Sequence, residues 1–144
     1  MTATLDANVL LYASDAASDR QERAEALLLR FAAGPDLLYL FWPVVMAYLR
    51  ISTHPSIFDH PLDPVVARRN IAVLLSRPHV RSPGEQDGFW PAFQRVVEGD
   101  VVRGNLVPDA HLVALMRQHG VGTIWTADRD FQRFDGVAAK NPFT

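Results

Sequence analysis

Three apolar runs of strand length, at residues 3–5, 37–42 and 121–126, stand far apart in the chain, with segments of helical periodicity between them. A run that is apolar at nearly every position fits a strand covered on both faces, and such strands alternating with helices pair in parallel. The pattern dictates a parallel sheet between two helical layers, an α/β/α fold. Helices are predicted over residues 8–13, 19–33, 43–53, 65–76, 85–98 and 108–120, with a short strand over 79–81. The inward faces read as Ala24, Leu27, Leu28 and Phe31 in the second helix, Phe89, Phe93, Val96 and Val97 in the fifth, and Leu112, Val113, Leu115 and Met116 in the sixth. Gly34-Pro35, Pro55, Pro78 and Gly120 stop helices, while Pro43 and Pro108 open them as first residues. Beyond residue 126 only a short tail is expected. Trp42, Trp90 and Trp125 fall inside apolar runs and are expected in the core.

No repeat, low-complexity tract or linker interrupts the 144 residues, of which 49% are hydrophobic and 21% charged, so residues 1–144 read as one globular domain. The absence of cysteine excludes zinc-thiolate, iron–sulfur and thiol-nucleophile chemistry. A net charge of -2 provides no global basic field, so nucleic-acid binding would need a local patch. Thirteen of the fourteen basic residues are arginine, which suits bidentate recognition of phosphate, though genomic base composition is the readier account of the bias. The carboxylate at Asp6 breaks any signal-peptide pattern, and no run has the length of a membrane span. The expectation is a cytoplasmic protein without a membrane partner.

In an open α/β sheet, ligands collect at the carboxyl ends of the strands. Asp6 and Asp128 follow strands at that edge, and Asp109, at the head of a helix, can face it. Three carboxylates brought together raise one another's pKa unless a cation compensates, and a hard divalent ion such as Mg²⁺ or Mn²⁺ is the economical compensation. Asp109 taken alone is equally a helix cap or a partner of the helix dipole. Asp6, inside an apolar segment, is harder to explain structurally. Asp128 is favoured over Asp130, one of which can begin the last helical turn. The five histidines, His54, His60, His79, His111 and His119, share no metal-ligand spacing, and no Gly-rich phosphate loop or nucleophile elbow occurs.

Four segments in order, Leu5-Asp6-Ala7-Asn8-Val9-Leu10-Leu11-Tyr12, Leu49-Arg50-Ile51-Ser52-Thr53-His54-Pro55, Gly104-Asn105-Leu106-Val107-Pro108-Asp109-Ala110-His111-Leu112 and Trp125-Thr126-Ala127-Asp128-Arg129-Asp130-Phe131, resemble PIN-domain ribonucleases. They are most similar to the VapC-type toxins of bacterial toxin–antitoxin pairs. The resemblance implies a single PIN-like α/β/α domain and a Mg²⁺- or Mn²⁺-dependent endoribonuclease cutting single-stranded or loop RNA. It also implies Asp6, Asp109 and Asp128 as catalytic metal ligands, Asn8 and Thr126 as supporting polar groups, and Asp130 as a further carboxylate. Arg50 or Arg129 would hold phosphate, with Arg50 equally able to pack or pair within the fold. A VapB-type antitoxin would block the pocket with a basic side chain, and the apolar helices around Leu27 to Phe31 and Val44 to Leu49 suit a homodimer.

The chain departs from the family's pattern at one place. Family members usually carry a glutamate about three residues before the arginine matched by Arg50; here Ala47 stands there, and no Glu or Asp lies between Asp36 and Asp59. The expectation is one weakly held ion in the free protein, strengthened by RNA, with a catalytically weakened RNA- or antitoxin-binding module as the alternative. A phosphatase with an aspartyl nucleophile at Asp6 would need a second Asp where Asn8 stands and a placed lysine, whereas the only lysine is Lys140.

Overall fold

In a computed structural model describing all of residues 1–144, five parallel strands form one sheet. The strands are β1 (Thr2–Leu5), β2 (Leu37–Tyr39), β3 (Val80–Arg81), β4 (Thr123–Trp125) and β5 (Ala138–Lys140), in spatial order β3-β2-β1-β4-β5. The helices are α1 (Ala7–Ala13), α2 (Gln21–Ala33), α3 (Trp42–Ser52), α4 (Pro64–Leu75), α5 (Phe89–Val97) and α6 (Leu106–Gln118), with a 3₁₀ turn over Arg129–Arg133. The chain builds outward from β1 to β3, then returns to the other side of β1 for β4 and β5. Because parallel crossovers are right-handed, this reversal sends α1 to α4 to one face and α5, α6 and the 3₁₀ turn to the other. The strand order therefore reverses between β1 and β4, where Ala3, Thr4 and Leu5 pair with Thr123, Ile124 and Trp125.

Burial explains the elements. Ala3, Thr4 and Leu5 are all fully buried, as a central strand requires. Helix α6 is buried at every position from Leu112 to Met116, so it is covered on nearly all sides and shows little amphipathic stripe. Tyr48 of α3 is also buried; its hydroxyl pairs with Ser14 Oγ at 2.7 Å and accepts from Asn70 Nδ2 at 3.0 Å, joining three helices of one layer.

Several boundaries differ from expectation. The run over residues 37–42 stays in strand geometry only to Tyr39, because its neighbour β3 is two residues long and Phe41 already serves as the extended N-cap of α3. The fifth helix begins at Phe89, since Gly88 at φ 81 is left-handed and cannot continue a helix backward. The sixth begins at Leu106, with Pro108 inside its first turn, where a missing N–H loses no intrahelical bond. The tail contains β5, which pairs with β4. Trp42 and Trp90 are not core residues: they are 39% and 63% exposed, on the sides of α3 and α5 away from Val44, Tyr48, Ala92 and Val96. Leu27, Phe31, Val44 and Val45 belong to the core, leaving Leu29 and Met46 exposed on the helices expected to form a dimer face. No helix is long and apolar enough to cross a membrane.

Candidate metal centre

The carboxyl ends of β1 and β4 meet at the strand-order reversal, the place where a crevice opens in such sheets. Asp6 follows β1 directly and caps α1, its Oδ1 accepting from the Ala7 N–H at 2.7 Å. Its Oδ2 accepts from Thr126 Oγ1 and from Asn8 Nδ2, each at 3.2 Å. Its own N–H donates to the Trp125 carbonyl at 3.0 Å, so main chain and side chain both tie β1 to β4. Thr126 is the hub: only 2% exposed, it also accepts from the Asp128 N–H at 2.9 Å and from Asn8 Nδ2 at 3.4 Å. Asn8 Oδ1 in turn accepts from the Ala127 N–H at 3.4 Å. Asp128 caps the 3₁₀ turn, accepting from the Asp130 N–H at 2.8 Å, which fixes where Asp130 stands.

Helix α6 brings Asp109 in its first turn to the same edge. Asp109 is no cap: Asn105 precedes the helix, and no donor approaches the Asp109 carboxylate. One oxygen each from Asp109, Asp128 and Asp130 lie within 4.8 Å of one another. Asp6 stands beside this trio, with both its oxygens already engaged. Burial pushes the Asp6 carboxyl above its usual range, against the lowering pull of the Ala7 and Thr126 hydrogen bonds, and Asp128 pushes it further up. Asp109 is pushed up to about 7, first by burial and then by the charges of Asp6, Asp128 and Asp130. No cation compensates, because the ion pairs of the structure are Met1–Asp36, His111–Glu85 and Arg133–Asp100.

The donor set fits a hard divalent cation. It is all oxygen, and oxygens sharing one ion stand at most about 4–5 Å apart, twice a metal–oxygen bond of about 2.0–2.6 Å. A bound cation would also reverse the electrostatic strain on Asp109. Arg50 is placed elsewhere: it is exposed, has no carboxylate partner, and lines a shallow recess with Thr53, Pro64 and Arg68 where α3 meets α4. Arg129 is exposed between Asp128 and Asp130. Two histidines serve the fold: His111 pairs with Glu85, and His119 Nε2 bonds the Gly84 carbonyl oxygen. Asp130, given only a supporting part by the sequence, is a full member of the cluster. The clue was the Asp-x-Asp spacing, whose two carboxylates a capped 3₁₀ turn can bring to one side.

The chain is 53% identical, over all 144 of its residues and 99% of the relative, to ribonuclease VapC48 of Mycobacterium tuberculosis. It belongs to the VapC family of PIN-domain ribonuclease toxins. Ribonuclease VapC43 of the same organism is 33% identical over 142 residues, covering 96% of this chain and 93% of the relative. No family model matches the chain. Among solved structures, M. tuberculosis VapC20, a toxin that cleaves the sarcin–ricin loop, superposes with a TM-score of 0.65 at 22% identity, covering 94% of this chain and 98% of that one. VapBC2 of Rickettsia felis, solved on a DNA fragment from its promoter, gives a TM-score of 0.68 at 16% identity, with 98% of each chain covered. At these identities the two structures speak to the fold, which is the PIN-like α/β/α domain.

Proposed function

We propose that this VapC-family chain is a Mg²⁺- or Mn²⁺-dependent endoribonuclease, the toxin of a VapBC-type pair, hydrolysing RNA phosphodiester bonds at the acid centre between β1 and β4. The observation that carries the proposal is the convergence of Asp109, Asp128 and Asp130, next to Asp6, with no protein cation among them. Asp109, Asp128 and Asp130 would hold the ion, with Asp6 as the fourth carboxylate. When bound, the ion lowers the pKa of a water and offsets charge building on the phosphodiester. The protein's own contribution is positional. Thr126 and Asn8 fix Asp6 and draw the two strand ends together, and the Asp128 cap holds Asp130 in place, so little rearrangement is needed when substrate arrives. Arg129, exposed at the rim, would pair with a phosphate oxygen, and Arg50, farther along α3, would hold a more distant nucleotide.

The VapB-type antitoxin would neutralise the centre with a basic side chain. An apolar groove of about 300 Å³ between α1, α2 and α4, walled by Leu10, Leu28, Ile71 and Leu74, offers its chain a seat. A homodimer is retained as part of the proposal, with Met46 and Leu29 as its exposed apolar residues. Ala47 favours a second reading, a weakened PIN-like module that binds RNA or antitoxin without cutting. Induced expression in a bacterial host separates the two. The nuclease arrests growth, Asp6→Asn does not, and co-expressed antitoxin relieves the arrest; equal arrest by wild type and Asp6→Asn would refute the catalytic role.

A further inference from the structure

An acid centre repels a polyanion, and a chain of net charge -2 has no bulk field to overcome that repulsion. Substrate must therefore be held by local cations, and one ridge along α2 supplies them. Arg20, Arg23 and Arg30 recur along one face of α2 and its N-cap, at spacings of three and seven residues. Together with Lys140 of β5 they take no part in the ion pairs of the structure. Asp36, the carboxylate that feels Arg30, is taken by the Met1 amine.

Three of these four cations lie over aromatic rings. The Arg20 guanidinium is 5.1 Å from the Tyr12 centroid and 5.0 Å from that of Phe143. Arg30 lies 5.2 Å and Lys140 5.6 Å from the centroid of Trp125. A cleft of about 350 Å³ opens between Arg23, Arg30, Trp125 and Pro142. Trp125 Nε1 is shut off from solvent and has no acceptor. The ridge runs from Arg20 at the head of α2 to Arg30 and to Lys140, whose Nζ lies 4.0 Å from Met1 Sδ at the amino end of β1; its Trp125 ends β4, and the Trp125 carbonyl accepts from the Asp6 N–H.

We propose that the ridge is an RNA-backbone track of this protein, with Arg23, Arg30 and Lys140 holding phosphates of single-stranded nucleotides at a distance from the bond to be cut. Stacking on Trp125 orders the Arg30 guanidinium while leaving its N–H edge free for a phosphate, which suits a planar fork better than a point charge. Cations interleaved with aromatic rings along a groove are how sequence-tolerant single-strand binding is built. The track rests on the ribonuclease reading above and adds to it the means of delivery.

The test uses the full chain in chelator, so that nothing is cut, with a fluorescent oligo(U) strand followed by anisotropy across a salt series. Arg23→Gln combined with Arg30→Gln is expected to weaken binding about tenfold and to lower the log–log salt slope by roughly 1.4, two phosphate contacts at about 0.7 each. Both residues are exposed, so the fold should survive. The paired Arg→Lys variant should keep the slope, and the control Arg69→Gln with Arg77→Gln should change little. An unchanged slope in the Arg23/Arg30 variant, or an equal loss in the control, overturns the track while leaving the nuclease reading intact. Loss of antitoxin association with RNA affinity preserved also overturns it, marking the ridge as a protein-docking face. A wild type that neither binds nor cuts RNA removes the nuclease reading and the track together.

Discussion

Replacing Asp109 by Asn should stabilise the metal-free protein at neutral and alkaline pH while abolishing its response to metal. The Asp109 carboxyl is pushed from an ordinary 3.8 up to about 7 by burial and by three neighbouring carboxylates. A shift of about 3 units corresponds to about 4 kcal/mol. The group is half-buried, and solvent screening reduces that figure to about 2 kcal/mol. The sign follows from proton counting. Between about pH 4 and pH 7 the folded chain retains a proton that the unfolded chain has lost, so stability falls as pH rises through that window and is level on either side of it. Asn carries no such penalty. By differential scanning calorimetry in chelator, the variant should melt about 4–8 °C above wild type at pH 8, and the gap should close by pH 4. Added Mn²⁺ should raise the melting temperature of wild type at pH 8 and leave the variant unmoved. A gap that does not vary with pH would refute the electrostatic account of the centre.

Thr126→Val keeps the shape of the hub but removes the hydroxyl that serves Asp6, Asn8 and Asp128. It should cost about 1–3 kcal/mol in urea unfolding and sharply lower RNA cleavage, whereas a fully active variant would show that the hub does not position the centre. Gly34 sits at φ +71, where an added Cβ would collide with the His79 ring. Gly34→Ala should therefore lower stability by about 1–3 kcal/mol or more, read from its denaturation midpoint. Ala47→Glu should raise Mn²⁺ affinity in direct titration; an unchanged affinity would show that the centre is not short of a carboxylate from α3.

The parallel sheet was legible because residues 3–5 and 121–126 carry no charge and threonine as their only polar side chain, and both lie where the structure places β1 and β4. The positions of Asp6 and Asp128 followed from those strands, since a residue directly after a parallel strand must stand at its carboxyl edge. β5 was not legible: Ala138 and Lys140 are exposed, the segment lacks β-branched or aromatic residues, and only pairing with β4 defines it. The convergence of Asp109 with Asp130 was equally hidden, because it depends on the early start of α6 and on a 3₁₀ turn rather than on any local periodicity. Trp42 and Trp90 misled for a related reason. Within a dense apolar run, composition does not reveal which side of a helix a residue will take once neighbouring residues claim the core.

The most direct test of the central claim is cleavage of total bacterial RNA by the purified chain, with Mg²⁺ or Mn²⁺ and with chelator, beside Asp6→Asn and Asp109→Asn. Discrete fragments that require both the metal and the two carboxylates are the predicted result. Fragments that persist in chelator, or in either variant, would contradict the assignment of RNA hydrolysis to the acid centre between β1 and β4.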